Sequence, residues 1–346
     1  MSERRNPLLT LTRARVREFV REPEALFWVF AFPIIMAVVL GFAFRDRPAD
    51  KIPVGVAGER GFRQLYGRPL AAPALTVRVF PTVPEGLEAL RTGKIALLVE
   101  NADPLVYRFD PTRPDARIAR LEVDDAIQRA AGRKDTVVFR EAEVHEKGSR
   151  YIDFLLPGIL GLNLMGTGIW GIGFSIVNAR LKKTLKLMIA TPMRKSDFLL
   201  AQISSRFVFL VLEVVLILAF GVAAFRVPIR GSLALLGLTT VLGALGFAGI
   251  GLLVVARART LEAASGLMNL VMVPMWLLSG VFFSSERFPN AAQPFIKALP
   301  LTALNDALRA VMLEGKGLHA IAGELAILAA WGALSFVIAL KIFRWQ

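Results

Sequence analysis

Few residues of this chain are equipped for bond-making chemistry. Cysteine is absent and histidine occurs only at positions 145 and 319. The absence of thiols removes cysteine nucleophiles, disulfides and thiolate metal sites. His145 and His319 read as surface residues with no ligand cluster around them, so no metal site is expected. No G-x-x-x-x-G-K-[ST], G-x-S-x-G or H-E-x-x-H occurs, so the chain carries neither a phosphate-cradling loop nor a hydrolase signature of its own. The adjacent acids Asp124 and Asp125 fall on a predicted helix, where neighbours diverge by about 100° and cannot act as a pair. No catalytic residue is assigned, and the chain is not expected to be an enzyme.

One acid stands apart. Glu213 lies within the apolar run 207–225, seven residues after Arg206, about 10 Å further along the same face of a helix. Ionisable groups at membrane depth are costly and face a bundle interior or a cavity. Two accounts stay open. In the first, Glu213 hydrogen-bonds a polar neighbour such as Asn163 or Asn269. In the second, it belongs to a substrate or proton site.

The elements that must position these residues are membrane spans. Of the 346 residues, 55% are hydrophobic and the mean hydropathy is +0.54, beyond the range of soluble domains. Residues 25–44, 154–178, 207–225, 231–256, 263–283 and 318–340 hold no Lys or Arg, and only Glu213 and Glu324 as acids. Each run is close to or above the roughly 18–20 residues that cross a bilayer. The fold class is therefore an α-helical polytopic membrane protein with six transmembrane helices. Between spans one and two, residues 45–150 read as an inserted α/β extracytoplasmic domain. Strands are predicted at 52–56, 76–80, 95–99 and 136–139, and helices at 84–91 and 116–131.

Charge orients the chain. With the N-terminus inside, the segments 1–24, 179–206, 257–262 and 341–346 hold 17 Lys+Arg against 6 Asp+Glu, whereas residues 45–150 hold 19 against 16. The asymmetry places both termini in the cytoplasm. It also explains the net charge of +14 without a nucleic-acid partner, because no contiguous basic face with base-reading residues is visible. Residues 1–23 read as a cytoplasmic amphipathic helix and 24–44 as the first span. A signal peptide is not expected, because Arg45-Asp46-Arg47 follows the run where small residues would mark cleavage. Pro33 requires a neighbouring helix to satisfy the carbonyl it frees.

Residues 151–346 read as a five-helix region with two special segments. Residues 179–200 (ARLKKTLKLMIATPMRKSDFLL) are basic and apolar at once, a pattern that suits a short helix docked on a partner. Residues 284–316 alternate apolar residues with Pro289, Pro294 and Pro300 and read as an outer re-entrant segment. Spans two and four are rich in glycine, which predicts close helix packing, with a flexible gate as the alternative.

REPEALFWVFAFPIIMAVVLGFAF, KIPVGVAG with ALRTGKIALLVE, TLKLMIATPMRKSDFLLAQ and LLSGVFFSSERFPNAAQPFIKALPLTALNDALRAVM run in this order through nearly the whole chain. Together they resemble the permease subunit of an ABC-2 type ABC exporter, in its long form with an extracytoplasmic domain after the first span. Thr184, Leu185, Thr191 and Pro192 stand at the family's coupling positions, and Gly280, Pro289, Pro300 and Arg309 at those of its outer segment. Lys182, Lys183 and Lys186 stand where the family often has acids. The resemblance implies a multi-pass protein of the cell inner membrane that binds no cofactor itself. ATP and Mg would be held by a cytoplasmic ABC ATPase subunit. A second permease copy, identical or related, would complete the transporter, with membrane lipid and a periplasmic adaptor as further partners. Thr184, Leu185, Leu187, Met188, Thr191 and Pro192 would be the ATPase-coupling residues, and the cargo an amphipathic or hydrophobic substrate. An ion-coupled secondary transporter and a membrane-anchored sensor or scaffold are the alternative readings.

Overall fold

The computed structural model describes residues 12–13, 16–17, 19–43, 51–57, 75–102, 104–134, 150–183 and 195–342. These form two compact units: residues 46–144, and a helical unit made of 1–45 with 145–346.

Among its described residues, the smaller unit is a four-stranded sheet with a helix on each face. Its strands are β1 (Ile52–Ala57), β2 (Leu75–Phe80), β3 (Leu97–Glu100) and β4 (Val106–Phe109), in the order β2-β1-β3-β4. β1 runs parallel to β2 and β3, and β4 is antiparallel to β3. Alternation along β3 sends Leu97 to one face and Leu98 to the other. Leu97 joins Val54 and Val56 beneath Ala116, Ala119, Val123 and Ile127 of α3 (Pro114–Ala130). Leu98 meets Ala57, Ile95 and Ala89 under α2 (Val83–Arg91). A central strand buried on both faces is written as an unbroken apolar run. β4 was not foreseen; it is a short edge strand with outward Arg108 and little apolar signal. The strand expected at 136–139 lies outside the described residues.

Among the described residues, the helical unit contains six helices long and apolar enough to cross a membrane. They are α1 (Pro23–Ala43), α4 (Tyr151–Leu181), α5 (Lys195–Phe225, apolar from Ser205), α6 (Leu233–Val255), α7 (Leu261–Leu278) and α10 (Ala322–Ile342). α7 stops five residues short of the apolar run that predicted it. Gly280 beyond it adopts φ 68, a left-handed conformation that ends a helix and favours glycine. Ser232 and Thr260 accept the backbone N–H of Leu235 and Ala263, and so start α6 and α7.

α4 and α6 form the centre, and glycine sets their distance. A Cβ on Gly168 would lie 2.7 Å from Phe247 Cβ, and one on Gly251 2.8 Å from the Ile169 carbonyl oxygen. α10 closes on the other side of α6, where a Cβ on Gly249 would meet the Gly332 carbonyl at 3.0 Å. Between the spans lie α8 (Gln293–Ala298) and α9 (Pro300–Met312). Eleven of the thirteen residues of α9 are buried. Arg309 anchors it. The guanidinium lies 3.7 Å from the Phe154 ring centroid, donates to the Phe154 carbonyl at 3.3 Å, and also reaches the Gly280 carbonyl. Asn305 Nδ2 donates to the Ser279 carbonyl at 2.9 Å.

Candidate intramembrane polar site

Glu213 is fully buried in α5. Two side chains reach its carboxylate: Arg206 Nη2 at 3.3 Å, one heptad earlier on the same helix, and Thr167 Oγ1 of α4 at 3.3 and 3.4 Å. The seven-residue spacing thus does bring the acid and the cation together. Arg206 is itself largely buried, and its Nε has no hydrogen-bond partner among the described residues. Separating either charge from the other would strand an ion in an apolar surround, at about 3–5 kcal/mol.

Thr167 joins this pair to a second polar link. Its hydroxyl has one hydrogen, which serves either the Asn163 carbonyl at 2.7 Å or the Glu213 carboxylate. Asn163 does not bond Glu213. Its Nδ2 donates instead to the Val29 carbonyl of α1 at 3.0 Å. The reason is legible in α1: Pro33 has no N–H to offer the carbonyl four residues before it, and that carbonyl belongs to Val29. The backbone around it is π-helical over Phe27–Ala31, a local widening that recurs at functional sites. Three spans are therefore stitched by one buried polar chain running Val29, Asn163, Thr167, Glu213, Arg206. Asn269 takes no part in it, being exposed on α7.

This arrangement offers a carboxylate that can exchange its arginine for another cation or a proton, and a hydroxyl that can change acceptors. Sequence reasoning singled out Asn163 and Glu213 but missed Thr167, whose type is unremarkable in a span.

The coupling candidates Thr184, Leu185, Leu187, Met188, Thr191 and Pro192 lie outside the described residues. Before them, Arg180 near the end of α4 donates to the Val255 and Ala256 carbonyls at 3.3 and 3.2 Å, and to that of Ala258. It thereby satisfies orphan carbonyls at the end of α6. At the opposite end of α4, Arg150 donates to the Phe225 carbonyl at 2.9 Å and pairs with the buried Asp153.

Comparison with known proteins bears on the whole helical unit. Residues 23–341 match the family described as ABC-2 family transporter protein. ABC transporter G family member 20 of Dictyostelium discoideum is 30% identical over 196 residues, 56% of this chain and 27% of that protein. Inner membrane transport permease YhhJ of Escherichia coli is 27% identical over 173 residues, 50% of this chain and 46% of that protein. The chain thus spans less than half the length of each of these two relatives. The Probable multidrug ABC transporter permease YbhS of Escherichia coli is 22% identical over 90% of this chain and 91% of its own length.

Proposed function

The chain belongs to the ABC-2 transporter family, and from that premise we propose that it is the permease subunit of an ATP-driven exporter. Its cargo is an amphipathic or hydrophobic compound taken from the cytoplasm or the inner leaflet. The observation that carries this reading is a family match extending across all six spans in a sequence with no phosphate loop. Energy for active transport then arrives from a separate cytoplasmic ABC ATPase, which holds ATP and Mg. The multidrug label of the full-length relative supports the breadth of the substrate class.

In this reading the protein lies in the cell inner membrane with both termini cytoplasmic and the inserted α/β domain outside, an orientation that the Lys and Arg asymmetry supports. Residues 284–316 face outward as the re-entrant segment. A second permease copy completes the path, with a periplasmic adaptor as an added partner. Residues 179–200 dock in a groove of the ATPase, where Leu185, Leu187 and Met188 insert as apolar anchors and Thr191 and Pro192 set the bend. Thr184 belongs to the same contact. Closure of the ATPases biases the spans between two packings. The chain through Glu213, Thr167 and Asn163 lies where such a change would be felt by three spans at once.

The test is reconstitution with a co-expressed ABC ATPase. Substrate-stimulated ATP hydrolysis and ATP-dependent export are expected. Truncating Leu187 and Met188 together to Ala removes two anchors, about 2–4 kcal/mol of association, and should weaken copurification at least tenfold. Export driven by an ion gradient in the absence of any ATPase would overturn the proposal.

A further inference from the structure

The side of the helical unit where α8 meets α10 carries a groove of about 420 Å3 lined by Pro294, Lys297, Ala298, Ile327, Ala330 and Trp331. Its walls are apolar except for Lys297. The Trp331 indole N–H donates to the Ala298 carbonyl at 2.9 Å, so the last turn of α8 is fastened to α10 and the groove has a fixed floor. Glu324, Ile327 and Trp331 follow at intervals of three and four on α10 and share one face. Glu324 sits near the start of that helix, and Trp331 lies about 10 Å further in. The groove therefore runs from a helix end into the apolar layer.

Charge at its mouth is mixed. Lys297 and Glu324 form no ion pair with each other, nor with any other side chain among the described residues. Both lie within electrostatic range of Asp306, whose nearest cation is Arg309 at 3.8 Å. A cation lining the slot and an unpaired anion one turn before Ile327 on α10 match a dipolar head on an apolar tail. An anionic head would meet Lys297 but be repelled by Glu324 and Asp306.

We propose that this groove is a site for a zwitterionic aminophospholipid of the phosphatidylethanolamine type. One acyl chain lies along Ile327, Ala330 and Trp331. The phosphate accepts from the Lys297 ammonium, which reaches toward the interface on its flexible stem. The lipid's primary ammonium donates to the Glu324 carboxylate. A trimethylated choline head has no N–H for that last contact, and a glycerol head has no charge for it. This site is independent of the transport reading, since it requires only that the protein sit in a bilayer.

The experiment reads Trp331 directly. The full chain is reconstituted with lipids brominated on the acyl chain, and quenching of Trp331 is obtained as the difference between the parent and Trp331→Phe. Brominated phosphatidylethanolamine should quench at a several-fold lower mole fraction than brominated phosphatidylcholine or phosphatidylglycerol. Glu324→Gln should bring it to the level of phosphatidylcholine, Lys297→Gln should weaken quenching by both of these lipids, and Lys297→Arg should leave both as in the parent. Equal quenching by all three lipids in the parent would show unselective boundary lipid and overturn the site. A preference for phosphatidylglycerol, or a preference for phosphatidylethanolamine that survives Glu324→Gln, would overturn it as well.

Discussion

The bond from Asn163 to Val29 makes a prediction that can be worked through in numbers. Replacing Asn163 by Leu keeps the volume but leaves the Val29 carbonyl with no donor, because Pro33 supplies none. In a soluble core an unsatisfied carbonyl costs about 1–3 kcal/mol. Interhelical hydrogen bonds in membranes average about 0.6 kcal/mol, with a maximum near 1.7. Asn163 is buried and the distance is 3.0 Å, so the upper part of that range applies and Asn163→Leu should destabilise by about 1–1.5 kcal/mol. Pro33→Ala restores an N–H that can close the ordinary bond within α1. In that background Asn163→Leu should cost no more than about 0.5 kcal/mol, leaving a coupling of about 1 kcal/mol between two residues far apart in sequence. Unfolding in mixed detergent–lipid micelles with rising dodecyl sulfate, followed by far-ultraviolet circular dichroism, measures all four corners of the cycle. Strictly additive costs would refute the claim that Asn163 serves the carbonyl freed by Pro33.

Three further outcomes follow from the same geometry. Arg206→Met should destabilise by about 3–5 kcal/mol by stranding the Glu213 carboxylate, whereas the double change Arg206→Met with Glu213→Met should recover most of that loss in the same unfolding assay. Gly251→Ala should cost about 1–3 kcal/mol, because the added methyl lands 2.8 Å from the Ile169 carbonyl oxygen; Gly237→Ala, with nothing within 4 Å, should be neutral or mildly stabilising. Cysteines at Arg117 and Lys182, both exposed, test the topology in intact cells: a membrane-impermeant thiol reagent should label the first and spare the second, and the reverse pattern would invert the orientation.

The spans, the inserted α/β region and the family were legible in the sequence, for one shared reason. Hydrocarbon thickness sets the length of a span, and a strand buried on both faces must be apolar throughout, so both leave a record in composition that no neighbour can erase. The early end of α7 escaped that record, because backbone conformation at Gly280 ended the helix where composition still ran apolar. Partnership between helices was decided by tertiary structure alone. Lipid is as apolar as a protein core, so a membrane helix need not reveal by hydropathy which face packs, and α6 and α10 have the same mean hydropathy although only α6 of the two is largely buried. Pro33 announced a carbonyl in need of a donor, but nothing local to it pointed to Asn163, 130 residues on. Thr167 acquires its meaning only because α4 sets it against Glu213. Arg309 does so because α9 carries its guanidinium onto Phe154 and the carbonyl of Gly280. These contacts join residues with no sequence periodicity in common, and the packing of one helix on another is what creates them.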